Sequence, residues 1–329
     1  MSRGRNRVAA LLGGGALLLG MSLAGSNPSY AEPDIDQVQK RVDTLYHEAE
    51  QAQERYQDVQ LRLKDLRRDL RGLRADERRQ ADRLGSVRTQ VEGSIVRAYQ
   101  GQDLSTVGQV VLSDDPSAFL SQLSTASEYN VLQSGIYSDY ATELKALNIR
   151  QDATRTRTAD IAAAEREAAD AKASVDKKLA EAKALLSDLK EKERQAIASR
   201  GAGVTRIPSN IPASGRGSAA VRFALAQVGD AYVYGAAGPN AWDCSGLTMV
   251  AWGQAGVGLP HSSSAQFGSG PHIPASALRP GDLVFYYSPI SHVGIYIGNG
   301  MIVHAAHPGA GVRVAGLYSM PFAGAVRPG

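Results

Sequence analysis

From Ile35 onward, the apolar residues Ile35, Val38, Val42, Leu45, Ala49, Ala52, Tyr56, Val59, Leu63, Leu66, Leu70 and Leu73 follow one another in alternating steps of three and four. The positions between them are mostly Glu, Asp, Arg, Lys and Gln. That is a heptad seam. It predicts a helix from about 34 to 100, roughly 100 Å long at ~1.5 Å per residue. Gly101 interrupts the pattern, and the stretch to 117, with Gly108 and Pro116, reads as a compact tip. A second, alanine-richer helical region is expected from about 117 to 199. Two long helices joined this way suggest an antiparallel coiled-coil hairpin, and an intermolecular coiled coil is the competing arrangement. A Gly/Pro/Ser stretch at 200–217 has no apolar periodicity and reads as a linker. Residues 218–329 then form a different kind of domain. A helix is expected at 218–228, and "GDLVFYY", "HVGIYIGNG" and "MIVHAA" read as strands.

Charge alters this picture first at the N-terminus. Arg3, Arg5 and Arg7 precede an uncharged run from Val8 to Gly25, and Ser29-Tyr30-Ala31 offers small residues for processing. Residues 1–31 thus read as a secretory signal peptide cleaved near Ala31, with a membrane anchor as the alternative. Removing three arginines from a chain of net charge +3 leaves a mature protein near neutrality. After Gly217 there is no lysine and no glutamate, and the acids are Asp230, Asp243 and Asp282. The scattered arginines form no cluster, which argues against a nucleic-acid partner.

The chain has 1 cysteine, Cys244. In a secreted protein it cannot form an intramolecular disulfide, so it is either a buried small hydrophobe or a reactive thiol. Asp243 can cap a helix beginning at Cys244 and ending at Gly256. A thiol in the first turn faces unpaired N–H groups and the positive end of the helix dipole, which favour a thiolate. Such a nucleophile needs a base, and the base an orienting group. His261, His272 and His307 fall in loops or past a strand end. His292 and His304 fall in strands flanking "GNG". If that loop has three residues, Ile297 pairs with Met301 and Gly294 with His304, and both histidines lie on one face as diagonal neighbours. A two-residue loop would separate them. Zinc on His292, His304 and His307 is the chemical alternative, but there is no HExxH and no second cysteine, so no metal or cofactor is expected.

The motifs "DCSGL", "RPGDLVFY", "SHVGIYIGNG" and "MIVHAA", in this order, resemble the NlpC-type peptidases of bacterial cell walls, over about residues 215–329. The resemblance implies an α+β papain-like cysteine peptidase fold, with helices packed on a small antiparallel sheet. It implies Cys244 as nucleophile, His292 as general base and acid, and His304 as the group orienting His292. Tyr232 would line the site, and Asp243 and Ser245 would position the nucleophile. Relatives often have a second glycine where Ala236 stands. The implied substrate is the peptide stem of peptidoglycan, cut between γ-linked D-glutamate and meso-diaminopimelate. The helical half resembles secreted members from Gram-positive bacteria, especially actinobacteria. It could regulate the enzyme from within the chain or recruit it to a membrane-associated division or elongation complex. A non-enzymatic wall-binding scaffold, an activator of another hydrolase, and an acyl transferase remain as alternatives.

Overall fold

A computed structural model describes residues 35–100, 116–189, 191 and 215–329. The expected signal peptide at 1–31, the hairpin tip at 101–115 and the linker at 200–214 lie outside the described residues. Helix α1 spans Ile35–Tyr99 and α2 spans Pro116–Ser187. The reading of the sequence carried the second helical region on to 199; a turn stands at 188–189, residue 191 is again helical, and 190 and 192–199 lie outside the described residues. The heptad seam of α1 closes on α2. Val42 and Leu45 pack with Ala182, and Val59 and Leu63 with Ala164 and Ala168. Alanine at these α2 positions lets the two backbones approach closely. Ion pairs across the hairpin, Arg62 with Glu167 and Arg67 with Glu165, run antiparallel. The seam is therefore buried within one chain. Among the described residues, no helix is long and apolar enough to cross a membrane.

The C-terminal part opens with α3, Arg216–Ala226. A short parallel pair follows, β1 (Ala231–Tyr232) and β2 (Ala241–Trp242), then α4 (Cys244–Gln254) and α5 (Ser263–Gln266). Five strands complete it: β3 (Leu283–Tyr286), β4 (His292–Gly298), β5 (Met301–Ala305), β6 (Val312–Gly316) and β7 (Phe322–Val326). They form one antiparallel sheet in the order β6-β5-β4-β3-β7. Helices α3 and α4 cover one face, where Val221, Ala224, Leu247 and Ala251 meet Phe285, Val293, Ile295 and Val303. A pair of long packed helices thus precedes a small papain-like α+β domain.

The β4–β5 hairpin corrects one detail of the expected register. Its turn has two residues, Asn299 and Gly300, both at positive φ (52° and 67°) as an Asn-Gly type I′ turn requires. Gly298 therefore pairs with Met301, where Ile297 was expected. A bulge between Tyr296 and Gly298 then shifts the ladder by one residue. Beyond it, Ile295 pairs with Val303, so Gly294 lies opposite His304 after all. A Cβ on Gly294 would come within 3.2 Å of the His304 Cβ.

Candidate active site

Cys244 begins α4, and Asp243 caps it. The Asp243 carboxylate accepts from the Gly246 N–H at 2.6 Å and from the Gly235 N–H at 2.9 Å. His261 approaches both of its oxygens, at 2.9 and 3.0 Å. A loop position gave His261 no role from sequence; here it clamps the cap of the thiol helix. Gly246 is obligatory in this arrangement, because a Cβ there would meet the Ala236 carbonyl at 2.3 Å. That contact runs through backbone, so the alanine at 236 is itself no obstacle.

Strand β4 presents His292 and β5 presents His304, both buried. His292 Nε2 lies 2.7 Å from His304 Nδ1. Burial, then the neighbouring His292, Arg313 and His307, push the His304 pKa well below the ordinary histidine value, so its ring is neutral. Tyr232 is buried, with its ring edge-on to Tyr234 at 4.9 Å. Burial raises its hydroxyl pKa first, followed by the charges of Glu50 and Cys244. Ser245 is fully buried behind the thiol.

The unexpected part of the site comes from α1. Glu50, Gln53, Glu54 and Gln57 are only 4% to 8% exposed, and they face the C-terminal domain. Glu50 Oε1 lies 2.5 Å from His292 Nδ1. Glu54 Oε1 lies 3.9 Å from Cys244 Sγ and 3.3 Å from Ser245 Oγ, which donates to it. Its other oxygen accepts the Ser263 N–H at 2.7 Å. One turn on, Asp58 accepts the hydroxyls of Ser262 (2.5 Å) and Ser264 (2.7 Å). Gln57 donates to Asp243 at 3.0 Å. On the other side of Glu50, Tyr234 donates its hydroxyl to the Tyr46 carbonyl at 2.9 Å. Residues 50, 54 and 58 recur every four positions, so one helix face delivers three carboxylates in a row.

This acidic row reverses the expected ionisation of the thiol. Helix position favoured a thiolate, but burial and then the charges of Glu50, Glu54 and Asp243 push the Cys244 pKa well above its usual value. Glu54 is itself affected. Burial raises its pKa to about 8, helped by Asp243 and Glu50 and opposed by its bonds to Ser263. The Glu50–His292 contact holds a proton between carboxylate and ring, whichever atom carries it. Nδ1 then has no free lone pair for the proton of Cys244.

A thiol, an imidazole and a carboxylate (Cys244, His292 and Glu50) bring their reactive atoms within 4.8 Å of one another. This is a triad-like arrangement of the cysteine-peptidase kind, set on a papain-like fold. Residues 229–326 match the NlpC/P60 family, and this segment is an NlpC/P60 domain homologous to actinobacterial proteins described as probable endopeptidases. A probable endopeptidase of Mycobacterium tuberculosis is 44% identical over 126 residues, covering 36% of this chain and 33% of that protein. One from Corynebacterium glutamicum is 44% identical over 116 residues, covering 35% of this chain and 56% of the other. The chain thus matches about a third to a half of the length of these relatives. Among solved structures, NlpC1 from Trichomonas vaginalis is 28% identical, covering 36% of this chain and 46% of that one, with a TM-score of 0.34. Glu50 and Glu54 lie outside the family match.

Proposed function

We propose that the chain is an exported cell-wall hydrolase that cuts peptidoglycan stem peptides, at the bond between γ-linked D-glutamate and meso-diaminopimelate. The observation that carries this reading is the His292–His304 bond beside the thiol at the start of α4, within an NlpC/P60 domain. Its arginine-led apolar N-terminus, ending in Ser29-Tyr30-Ala31, supports export with cleavage near Ala31. In the reaction, Cys244 attacks the γ-glutamyl carbonyl after giving its proton to His292 Nδ1. Nε2–H of His292 is then shared with His304, which fixes the ring. The Cys244 N–H and the Tyr232 hydroxyl receive the oxyanion, while Asp243 and Ser245 hold the turn that presents the thiol. The C–N bond breaks as His292 protonates the leaving amine. Water, deprotonated by the same ring, cleaves the thioester and restores the thiol. No cofactor enters any step.

In this reading α1 is the intramolecular regulator. It occupies the cleft, engages the base through Glu50 and keeps the thiol protonated. Turnover then requires α1 to withdraw. The direct test is mass spectrometry of a soluble muropeptide containing L-Ala-γ-D-Glu-meso-diaminopimelate, incubated with full-length mature protein carrying Glu54→Trp, which obstructs the docked helix. Cleavage after D-glutamate is expected. A different product bond would reject the assigned specificity, and intact peptide together with intact whole walls would reject the enzyme.

Docking should also depend on pH. Glu54 holds a proton up to about 8 when docked, against an ordinary value of 4.5 when released. Closure is therefore strongest below 4.5 and weakens as pH rises through about 8. Alkylation of Cys244 by iodoacetamide reports opening, and Glu54→Gln, which lacks the titrating carboxyl, corrects for ionisation of the thiol. The parent-to-variant rate ratio should climb between pH 5 and pH 8, by up to about tenfold per unit for one proton. A flat ratio would show that Glu54 does not couple docking to protons.

A further inference from the structure

A cavity of about 500 Å³ lies between α1 and the sheet, bordering His292 and His304 but not Cys244. Its C-terminal wall carries His304, His307 and Arg313. Arg313 and His304 are paired across β5 and β6, so their side chains share one face. His304 Nε2 and Arg313 Nε are both buried without a hydrogen-bond partner. Buried polar atoms are rarely left so, and two on one wall mark a place where a ligand completes the bonding. Among the described residues lining this cavity, the acids are Asp43 and Glu50, and both come from α1. Among the described lining residues, the wall that remains once α1 departs keeps the Arg313 guanidinium and the rings of His304 and His307 beside apolar side chains, with no carboxylate.

The chemistry of the neighbouring histidine says which part of a substrate reaches this wall. His292 must deliver its proton to the departing amine, so the residue supplying that amine lies on the His292 side. The acyl part lies over Cys244, beside Ser245 and Ser263. During turnover His292 keeps a proton on Nε2 and shares it with His304 Nδ1. A neutral His304 then carries its own proton on Nε2, the buried ring nitrogen that has no hydrogen-bond partner.

We propose that this cavity is the subsite for a free carboxylate on the amine-side residue of the scissile bond, held by the Arg313 guanidinium and the Nε2–H of His304. The assignment rests on the endopeptidase reading and deepens it. It makes Arg313 a specificity-determining residue, and it makes Asp43 and Glu50 the carboxylates that fill the same wall when α1 is docked.

The test uses full-length mature protein opened by Glu54→Trp and two peptides that differ only at the amine-side residue, one with a free carboxylate and one with a carboxamide. The free acid should be preferred in kcat/KM by roughly 10- to 100-fold, the size of one or two charge-assisted hydrogen bonds. Adding Arg313→Gln should bring that ratio close to one, and Arg313→Lys should restore part of it. A ratio near one before substitution, or a ratio that survives Arg313→Gln, would overturn the proposal. If neither peptide is cut, the endopeptidase reading fails, but the subsite remains measurable. Calorimetry with the same peptides and the protein carrying both Glu54→Trp and Cys244→Ala should show the free acid binding more tightly, and adding Arg313→Gln should remove the difference. Equal binding of the two peptides would overturn it.

Discussion

Glu54→Trp should make Cys244 react with iodoacetamide on the order of 100-fold faster than in the parent protein. In the parent, the thiol is 1% exposed, and burial first, then the neighbouring acidic side chains, push its pKa well above the ordinary value. Glu54 fills a site closed by Ser245, Ser263 and the thiol itself. An indole does not fit there, and overpacking of this kind costs ~1–3 kcal/mol. The Ser263 N–H, left buried without its carboxylate, adds a further ~1–3 kcal/mol. Together, at about 2–6 kcal/mol, these favour undocking by a factor of roughly tens to tens of thousands. The hairpin itself should survive, because its seam is formed by Val42, Leu45, Val59 and Leu63 on another side of the helix. Circular dichroism should therefore show parent-like helix content. Peptidase turnover should rise in parallel with alkylation. Alkylation at the parental rate would mean that α1 does not act as a removable cover.

In that opened protein, Cys244→Ala and His292→Ala should each lower turnover by roughly 10⁴-fold or more, and the double variant should be no worse than either single one. A nucleophile without its base, or a base without its nucleophile, leaves the same residual site. The oxyanion donors and the binding groups then supply whatever rate remains. Steady-state rates on a single muropeptide measure all three variants. Losses that multiply would show that the two side chains act in separate steps. Turnover by Cys244→Ala near the opened parent's rate would remove the thiol from the mechanism.

Most of the scaffold was legible because its signals are periodic. The α1 seam predicted a helix from about 34 to 100, and the hydrophobic runs around His292 and His304 gave β4 and β5. The Asp-Cys-Ser-Gly segment announced a capped helix start. Strands β6 and β7 were harder to see. "VRVAG" and "FAGAV" are short, rich in glycine and alanine, and take their strand form from ladder partners distant in sequence. Locally, nothing distinguishes them from loop. The role of His261 was also hidden, because its partner Asp243 is brought to it by the fold.

Regulation by the helical half was an open expectation, but the residues through which α1 reaches the site were missed for a different reason. Glu50, Glu54 and Asp58 look like solvent-facing residues beside a coiled-coil seam. One signal was present in the sequence. Like charges four residues apart destabilise a free helix by a few tenths of a kcal/mol per pair. Two such pairs in succession, without a lysine or arginine interposed on that face, suit a helix whose acidic edge meets donors elsewhere. Identifying those donors required the fold, which places Ser262, Ser263, Ser264 and His292 opposite this edge.

Glu54 precedes Cys244 by 190 residues, and Glu50 precedes His292 by 242. Chains are made from the N-terminus, and domains begin to fold in that order. The hairpin can therefore form before the first strand of the sheet has been synthesised. No molecule of this enzyme has to exist, even briefly, with a finished catalytic cleft and no helix available to fill it. In the proposed function, the order of the two halves along the chain keeps the cleft covered during synthesis, and the reverse order, with the same contacts, would not.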